Sequence, residues 1–169
     1  TSDKCVLDSD KDYILNQKFI YPENINPNTE KNWSPFQYNN QLCFVYLWYP
    51  LQIGVILQNK LKIISLKYNL PEFFKNARGS TPGCYFNEEI WFLLHKTEQY
   101  KGNIDYNHFF AVFDKDMNFK RHTNLFKLGN FNIEYCVGLI INDDNMILSY
   151  SLNDTSTYVA TYEMNTIRK

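Results

Sequence analysis

A repeat is the feature of this sequence that most restricts its fold. Three clusters of Asn and acidic residues begin at Asn39, Asn87 and Asn142, and each comes before a run rich in Val, Ile, Leu, Tyr and Phe. A second run of the same kind follows each first run, after a connection typical of a hairpin. The clusters are about 48 and then about 55 residues apart, which is the length of a four-stranded propeller blade. The spacing therefore predicts an all-β fold of the β-propeller type.

The paired runs predict the central strands of three blades. They cover residues 42–48 and 51–57, 90–95 and 106–113, and 146–152 and 157–162. Further strands are expected at 61–66, 83–86, 118–127 and 134–141. A short helical turn is predicted over 70–77, because Pro71 suits a first helical position.

These elements predict one propeller domain, or the C-terminal portion of one, over residues 1–169, with approximate blades at 30–80, 81–130 and 131–169. Residues 1–29 are interpreted as the tail of an earlier blade. A β-sandwich is the alternative, since strands at regular spacing also form sandwiches. Three blades and part of a fourth do not close a ring, so residues before Thr1, or another chain, are expected to complete it.

Composition excludes several classes of partner. A net charge of -1 and scattered basic residues argue against nucleic acid, and no apolar run is long enough for a membrane helix. Glycosylation sequons at Asn32 and Asn153 fall close to the predicted site, which favours an intracellular location. The four cysteines have no metal-type spacing; buried free thiols are favoured over two disulfides, because Cys43 and Cys136 lie in apolar runs.

Polar residues at equivalent positions of the three blades form the candidate binding site, because ligands collect where propeller blades converge. Arg and Lys bind hydroxyl or anionic groups, His exchanges protons near neutrality, carboxylates accept sugar hydroxyls, and Trp stacks on sugar rings. Each residue also has a structural interpretation: Arg78 can stabilise a turn, His95 can be a half-buried strand residue, and Asp154 can form an Asx turn. No metal site or cofactor is predicted. The candidate ligand-binding residues are Lys31, Trp33, Arg78, His95, Glu134 and Asp154.

At these positions the sequence resembles the five-bladed propellers of glycoside hydrolases, most nearly the β-mannoside phosphorylase and mannosyl-hydrolase family numbered 130. It is also similar to giant-virus propeller domains, several of which are attached to glycosyltransferases. Leu94-His95 and Asn153-Asp154 match a His turn and an acidic turn of the phosphorylases, whereas Trp48-Tyr49-Pro50 replaces their arginine turn. The matching stretches are 30–36, 78–83, 106–110, 133–139 and 148–154.

The resemblance implies a carbohydrate-binding or carbohydrate-processing propeller in a glycan-building system, located in the host cytoplasm if the chain is viral. Its ligand would be a glycan, and an attached glycosyltransferase domain or another chain would be its partner. If the protein is an enzyme, it would be a glycoside hydrolase or phosphorylase, or part of a glycosyltransferase. The family's catalytic acid would lie before Thr1, so this chain alone is expected to be inactive. The alternative is a non-catalytic scaffold or an accessory domain of a glycosyltransferase.

Overall fold

The computed structural model describes residues 6–8, 13–15, 20–22, 32–100 and 102–167. Regular structure in these ranges is almost entirely β-strand, which confirms the all-β prediction. The helical segments of the described residues are a 3-10 turn, Glu72–Phe74, and one α-helical turn, Met164–Ile167. The strands are β1 (Val6–Asp8), β2 (Tyr13–Leu15), β3 (Tyr21–Pro22), β4 (Ser34–Tyr38), β5 (Gln41–Trp48), β6 (Leu51–Leu57), β7 (Lys60–Lys67), β8 (Arg78–Gly79), β9 (Cys84–Phe86), β10 (Glu89–Tyr100), β11 (Asn103–Asp114), β12 (Phe119–His122), β13 (Glu134–Ile141), β14 (Asn145–Leu152) and β15 (Ser156–Glu163).

Three sheets follow one another along the chain. The first has the strand order β3-β7-β6-β5-β4, the second β12-β11-β10-β8 with β9 also paired to β10, and the third β13-β14-β15. A separate two-stranded sheet pairs β1 with β2. The short strand β3 lies parallel to β7 at the outer edge of the first sheet, and β8 already belongs to the second sheet. Each predicted turn cluster lies between the first two main strands of its sheet, which confirms the repeat.

The Asn-rich sequence of the turns has a conformational reason. The β4–β5 turn places Asn39 and Asn40 at φ of 50° and 58°, and the β9–β10 turn places Asn87 and Glu88 at 49° and 60°. Two-residue hairpins of type I′ require positive φ at both central residues, because that backbone twist matches the twist of the strands. Asn tolerates the left-handed region better than other residues with a Cβ. The turn residues therefore favour tight hairpins in a fixed register.

The second sheet is buried on both faces. Along β10, Phe92 and Leu94 pack against the first sheet in one apolar cluster. Trp91 and Leu93 point the other way and pack against the third sheet in a second cluster. Successive side chains of a strand alternate between faces, so the apolar stretch of β10 over residues 90–94 lies between two cores. A two-layer sandwich would expose one face of each sheet; three sheets in a row exclude that alternative.

Three local predictions need correction. The predicted helical turn over 70–77 is only the 3-10 turn Glu72–Phe74, which the buried Phe74 ring anchors to the core between the first two sheets. The predicted strand over 118–127 ends at His122. Beyond His122 the chain stays beside β11 without a continuous ladder: Thr123 bonds to Phe110 through its backbone N–H and its side-chain oxygen, and Phe126 forms an isolated bridge with His108. The sequence did not predict β4 as a strand, because Pro35 lies within it; proline is tolerated at a sheet edge.

The cysteines of the described residues are free thiols. Cys43 and Cys136 are buried and Cys84 is partly exposed, while Cys5 lies outside the described residues. Burial raises the pKa of the Cys136 thiol to about 11, so this side chain behaves as a small apolar group. In the described part of the chain, every helix is too short or too polar to traverse a lipid bilayer.

Candidate functional site

The first strands of the sheets approach each other closely at one glycine. Gly79 of β8 lies against the side chain of Ser34 and the carbonyl oxygen of Asn32, and a Cβ at this position would collide with both. A little further along, the Gly83 N–H donates to the Pro35 carbonyl oxygen at 2.8 Å. The first and second sheets are thereby joined next to Arg78 and Ser80, the two neighbours of Gly79.

His95 lies in the middle of this junction. It pairs with Arg78 on one side and with His108 on the other. Residues directly opposite in an antiparallel sheet project to the same face, so these three residues share the face that is turned toward the third sheet. The His95 side chain is buried, at 1% exposure, and its Nδ1 lies 2.8 Å from Ser80 Oγ.

Two tyrosines complete the surroundings of His95. The Tyr106 ring is tilted against the imidazole with centroids 5.2 Å apart, and the Tyr135 ring meets it edge-on at 5.5 Å. The Tyr135 hydroxyl donates to Asn32 Oδ1 at 3.4 Å, and burial raises the pKa of this phenol. Side chains from all three sheets therefore meet here. We call Ser80, His95, Tyr106 and Tyr135 the His95 cluster.

Glu134 and His108 form a fully buried polar pair beside this cluster. The Glu134 carboxylate accepts hydrogen bonds from the backbone N–H groups of Leu128, Gly129 and Phe131 at 2.6, 3.0 and 2.7 Å. His108 Nε2 lies 3.8 Å from Glu134 Oε2, which is too far for a hydrogen bond. Burial, outweighing the attraction of Glu134, lowers the pKa of His108 to about 4. His108 is therefore neutral near pH 7, and Glu134 holds the loop over 128–131 in place.

Arg78 also lines an open polar cleft. Its volume is about 550 Å³, within the range of small-molecule sites. Thr97 is two residues from His95 on β10, so the cleft and the His95 cluster are neighbours. We call this cavity the Arg78 cleft. Its lining consists of Leu47, Tyr49, Phe74, Lys75, Asn76, Ala77, Arg78 and Thr97.

The structure brings only some of the predicted site residues together. Arg78 and His95 are direct cross-strand neighbours. Glu134 lies close to them, because its carboxylate is beside His108, the other cross-strand neighbour of His95. The Trp33 ring instead packs against Phe44 and Tyr46, at centroid distances of 6.1 and 5.7 Å.

Trp33 and Asp154 are placed by the packing of their own sheets. Phe44 alternates along β5 with core residues that face the second sheet, so Trp33 covers the opposite face of the first sheet. Asp154 is exposed in the β14–β15 turn with φ of 54°. It lies at the end of the sheet where Leu152 pairs with Glu134. Lys31 lies outside the described residues.

The sequence analysis missed Asn76, Thr97 and Tyr106 as candidate site residues. Thr97 and Tyr106 are paired across β10 and β11, one step along from His95 and His108. An alternation of polar residues at 95, 97, 106 and 108 was the available signal, but the register that aligns the two strands was needed to use it. Among the described residues, no group of three His, Cys, Asp or Glu side chains could hold a metal ion.

Comparison with known proteins gives one informative result. No protein-family model matches the chain, and no curated protein matches it. The structure is similar to the crystal structure of a glycosyl hydrolase from Bacteroides ovatus, with a TM-score of 0.59 and 14% sequence identity. The chain shares the fold of a glycosyl hydrolase. The match covers 80% of this chain and 49% of the hydrolase, so the chain spans about half of that protein. Together with the three consecutive sheets, this similarity supports the propeller-like fold.

Proposed function

We propose that this chain is a carbohydrate-binding propeller domain whose ligand occupies the Arg78 cleft. The observation that carries the proposal is the chemistry of the cleft, which combines a guanidinium, an amide, a hydroxyl and a phenol on one open surface. Sugars present hydroxyl groups to hydrogen-bonding side chains and apolar ring faces to aromatic ones. A fold shared with a glycosyl hydrolase is consistent with that ligand class.

Each group of the cleft has a defined role in this proposal. Arg78 is exposed and supplies several fixed N–H donors, which suit paired sugar hydroxyls or an anionic substituent. Tyr49, also exposed at 37%, offers an aromatic face. His95 is the cross-strand neighbour of Arg78, and Ser80 fixes its ring by a hydrogen bond. In this proposal His95 therefore forms the inner wall of the site.

Binding, and not bond cleavage, is the activity that we assign to these residues. An inverting glycosidase uses two carboxyl groups about 6.5–9.5 Å apart on either side of the scissile bond. The Glu134 carboxylate is fully buried and accepts three backbone hydrogen bonds, which commits it to the loop over 128–131. Catalysis would need carboxylates from a completing blade or chain.

More specifically, we propose a mannoside ligand, of the type handled by the phosphorylase and hydrolase family numbered 130. In this proposal the domain belongs to a glycan-building system, and an attached glycosyltransferase or another chain completes the ring. Mannosides are therefore the first sugars to test.

A glycan array followed by calorimetry tests the proposal. The purified protein should bind at least one glycan, and Arg78→Ala should weaken that binding by about tenfold or more, since a charged hydrogen-bonding group is lost. Lys62→Ala is the matched control, because it removes an exposed cation from β7, away from the cleft. Absence of binding to any sugar, or equal loss in the two variants, would refute the proposal.

The second candidate is a non-catalytic scaffold, and the buried, committed state of Glu134 favours it. In that case the Arg78 cleft would be a surface for protein contacts, and the fold would only present loops. A protein that binds no glycan but co-purifies in a stable complex with a glycosyltransferase would support this alternative.

A further inference from the structure

Among the described residues, the third sheet ends on a regular edge strand, β15. In the described residues its order is β13-β14-β15, whereas the first and second sheets continue to β7 and β12. The strand β15 pairs with β14 without a bulge over eight consecutive positions, from Asn145↔Glu163 to Leu152↔Ser156. Its outer backbone groups face away from β14. A straight strand of this length is a template for another strand.

The outer strands of the other two sheets carry the usual protection against such pairing. The strand β7 contains three lysines and is partly covered by β3. The strand β12 is only four residues long, contains Lys120 and Arg121, and follows a register irregularity at Val112/Phe113. Lysines, short strands and bulges are the devices by which proteins block edge pairing.

The strand β15 has none of these devices. Its sequence, Ser-Thr-Tyr-Val-Ala-Thr-Tyr-Glu, contains no Lys, Arg or Pro, and Glu163 at the last position is its single charged residue. Val159 at its centre is 72% exposed and Tyr158 is 46% exposed. β-branched and aromatic residues favour strand pairing, so this edge is suited to accept a strand.

We propose that β15 pairs antiparallel with β15 of a second copy of this chain, centred on Val159. Pairing about this residue places Val159 opposite Val159, Thr157 opposite Thr161, and Tyr158 opposite Ala160. These are favourable or neutral cross-strand pairs. Glu163 then lies opposite Thr155 and not opposite its own copy, so no like charges face each other. The strand is therefore complementary to itself, and the two third sheets form one six-stranded sheet.

Sedimentation or light scattering over a concentration series tests the dimer. The wild-type chain of 20.2 kDa should show a concentration-dependent species of twice that mass. Val159→Lys should raise the dimer dissociation constant by about tenfold or more, because two ammonium groups would then face each other across the new pair. Circular dichroism confirms that the variant is folded.

Ile140→Lys is the matched control. Ile140 is 61% exposed and lies on β13, at the opposite edge of the same sheet. The control should leave the dimer intact, and loss of the dimer in both variants would indicate packing through the sheet face and overturn the proposal. Val159→Cys supplies a second readout, since it should form an intermolecular disulfide on mild oxidation whereas Ile140→Cys should not. The proposal would also be overturned if the wild-type chain stays monomeric at 100 μM, which is roughly the ceiling for a useful affinity. It would be overturned as well if β15 binds a different partner.

Discussion

The buried histidine of the second sheet should make the stability of this protein depend on pH. His108 is 0% exposed, and neither ring nitrogen has a hydrogen-bond partner among the described residues. Burial lowers its pKa from 6.5 to about 4. An unfolded chain would protonate this imidazole near pH 6.5, whereas the folded chain keeps it neutral until pH 4.

The sign and size of the effect follow from these two values. Between pH 6.5 and pH 4 the unfolded state binds one more proton than the folded state, so the free energy of unfolding falls as the pH falls. The full difference corresponds to about 3 kcal/mol, of which about 2 kcal/mol is lost between pH 7 and pH 5. Above pH 6.5 and below pH 4, this residue contributes no further pH dependence.

Urea unfolding at pH 7, 6 and 5 measures the effect. The variant His108→Gln, which cannot titrate, should lose about 2 kcal/mol less than the wild type between pH 7 and pH 5. His122→Gln is the control, because it removes a histidine whose ring is stacked on Phe73 and leaves His108 unchanged. If His108→Gln retains the wild-type pH slope, His108 is not neutral and buried as the structure indicates.

Three further predictions concern stability. Gly79→Ala should lower the free energy of unfolding by about 1–3 kcal/mol and weaken the proposed glycan binding, because its Cβ would collide with Ser34; unchanged urea unfolding would contradict the close approach. Glu134→Ala should cost about 3 kcal/mol in urea unfolding, and Glu134→Gln about half as much, since the amide keeps one acceptor oxygen; equal losses would contradict the hydrogen-bond assignment. Arg121 lowers the pKa of Glu89 to about 2, so the pair should stabilise the protein above pH 4.5 and lose that contribution as the pH falls toward 2. The half-exposed arginine limits the effect to about 1 kcal/mol; an acid titration should show it in the wild type and not in Glu89→Gln.

Much of the fold was predictable because turn residues and strand residues repeat together. The clusters at Asn39 and Asn87 lie in hairpin turns of the same conformation, and the predicted strand over 134–141 has the observed bounds. The strand β4 was not predictable from composition, because Pro35 and the polar Gln37 break its pattern. The segment forms a strand because it pairs with β5. The propensities of its own residues do not predict that contact.

The candidate site was less predictable, because its members meet through strand register. Arg78 and His95 were expected in the site, and they lie opposite each other because β8 pairs antiparallel with β10 at that point. Trp33 is only one residue from Ser34, yet its ring covers the other face of the first sheet. A one-residue difference reverses the face of a side chain in a strand. Sequence spacing therefore identified strands that meet at the junction without identifying which of their residues share a face.

The same short strand allows the proposed binding and the stability of the fold to be tested by separate mutations. Arg78, Gly79 and Ser80 are consecutive, but they face different surroundings: an open cleft, the backbone of the first sheet, and the buried His95 ring. A change at Arg78 removes a solvent-exposed group and leaves the packing intact. A side chain at position 79 would collide with Ser34 and with the Asn32 carbonyl oxygen, so it should push the two sheets apart and displace both neighbours. The close contact at Gly79 thus holds Arg78 and His95 in a fixed relation, and under the proposed function this would lower the entropic cost of binding a ligand at the cleft.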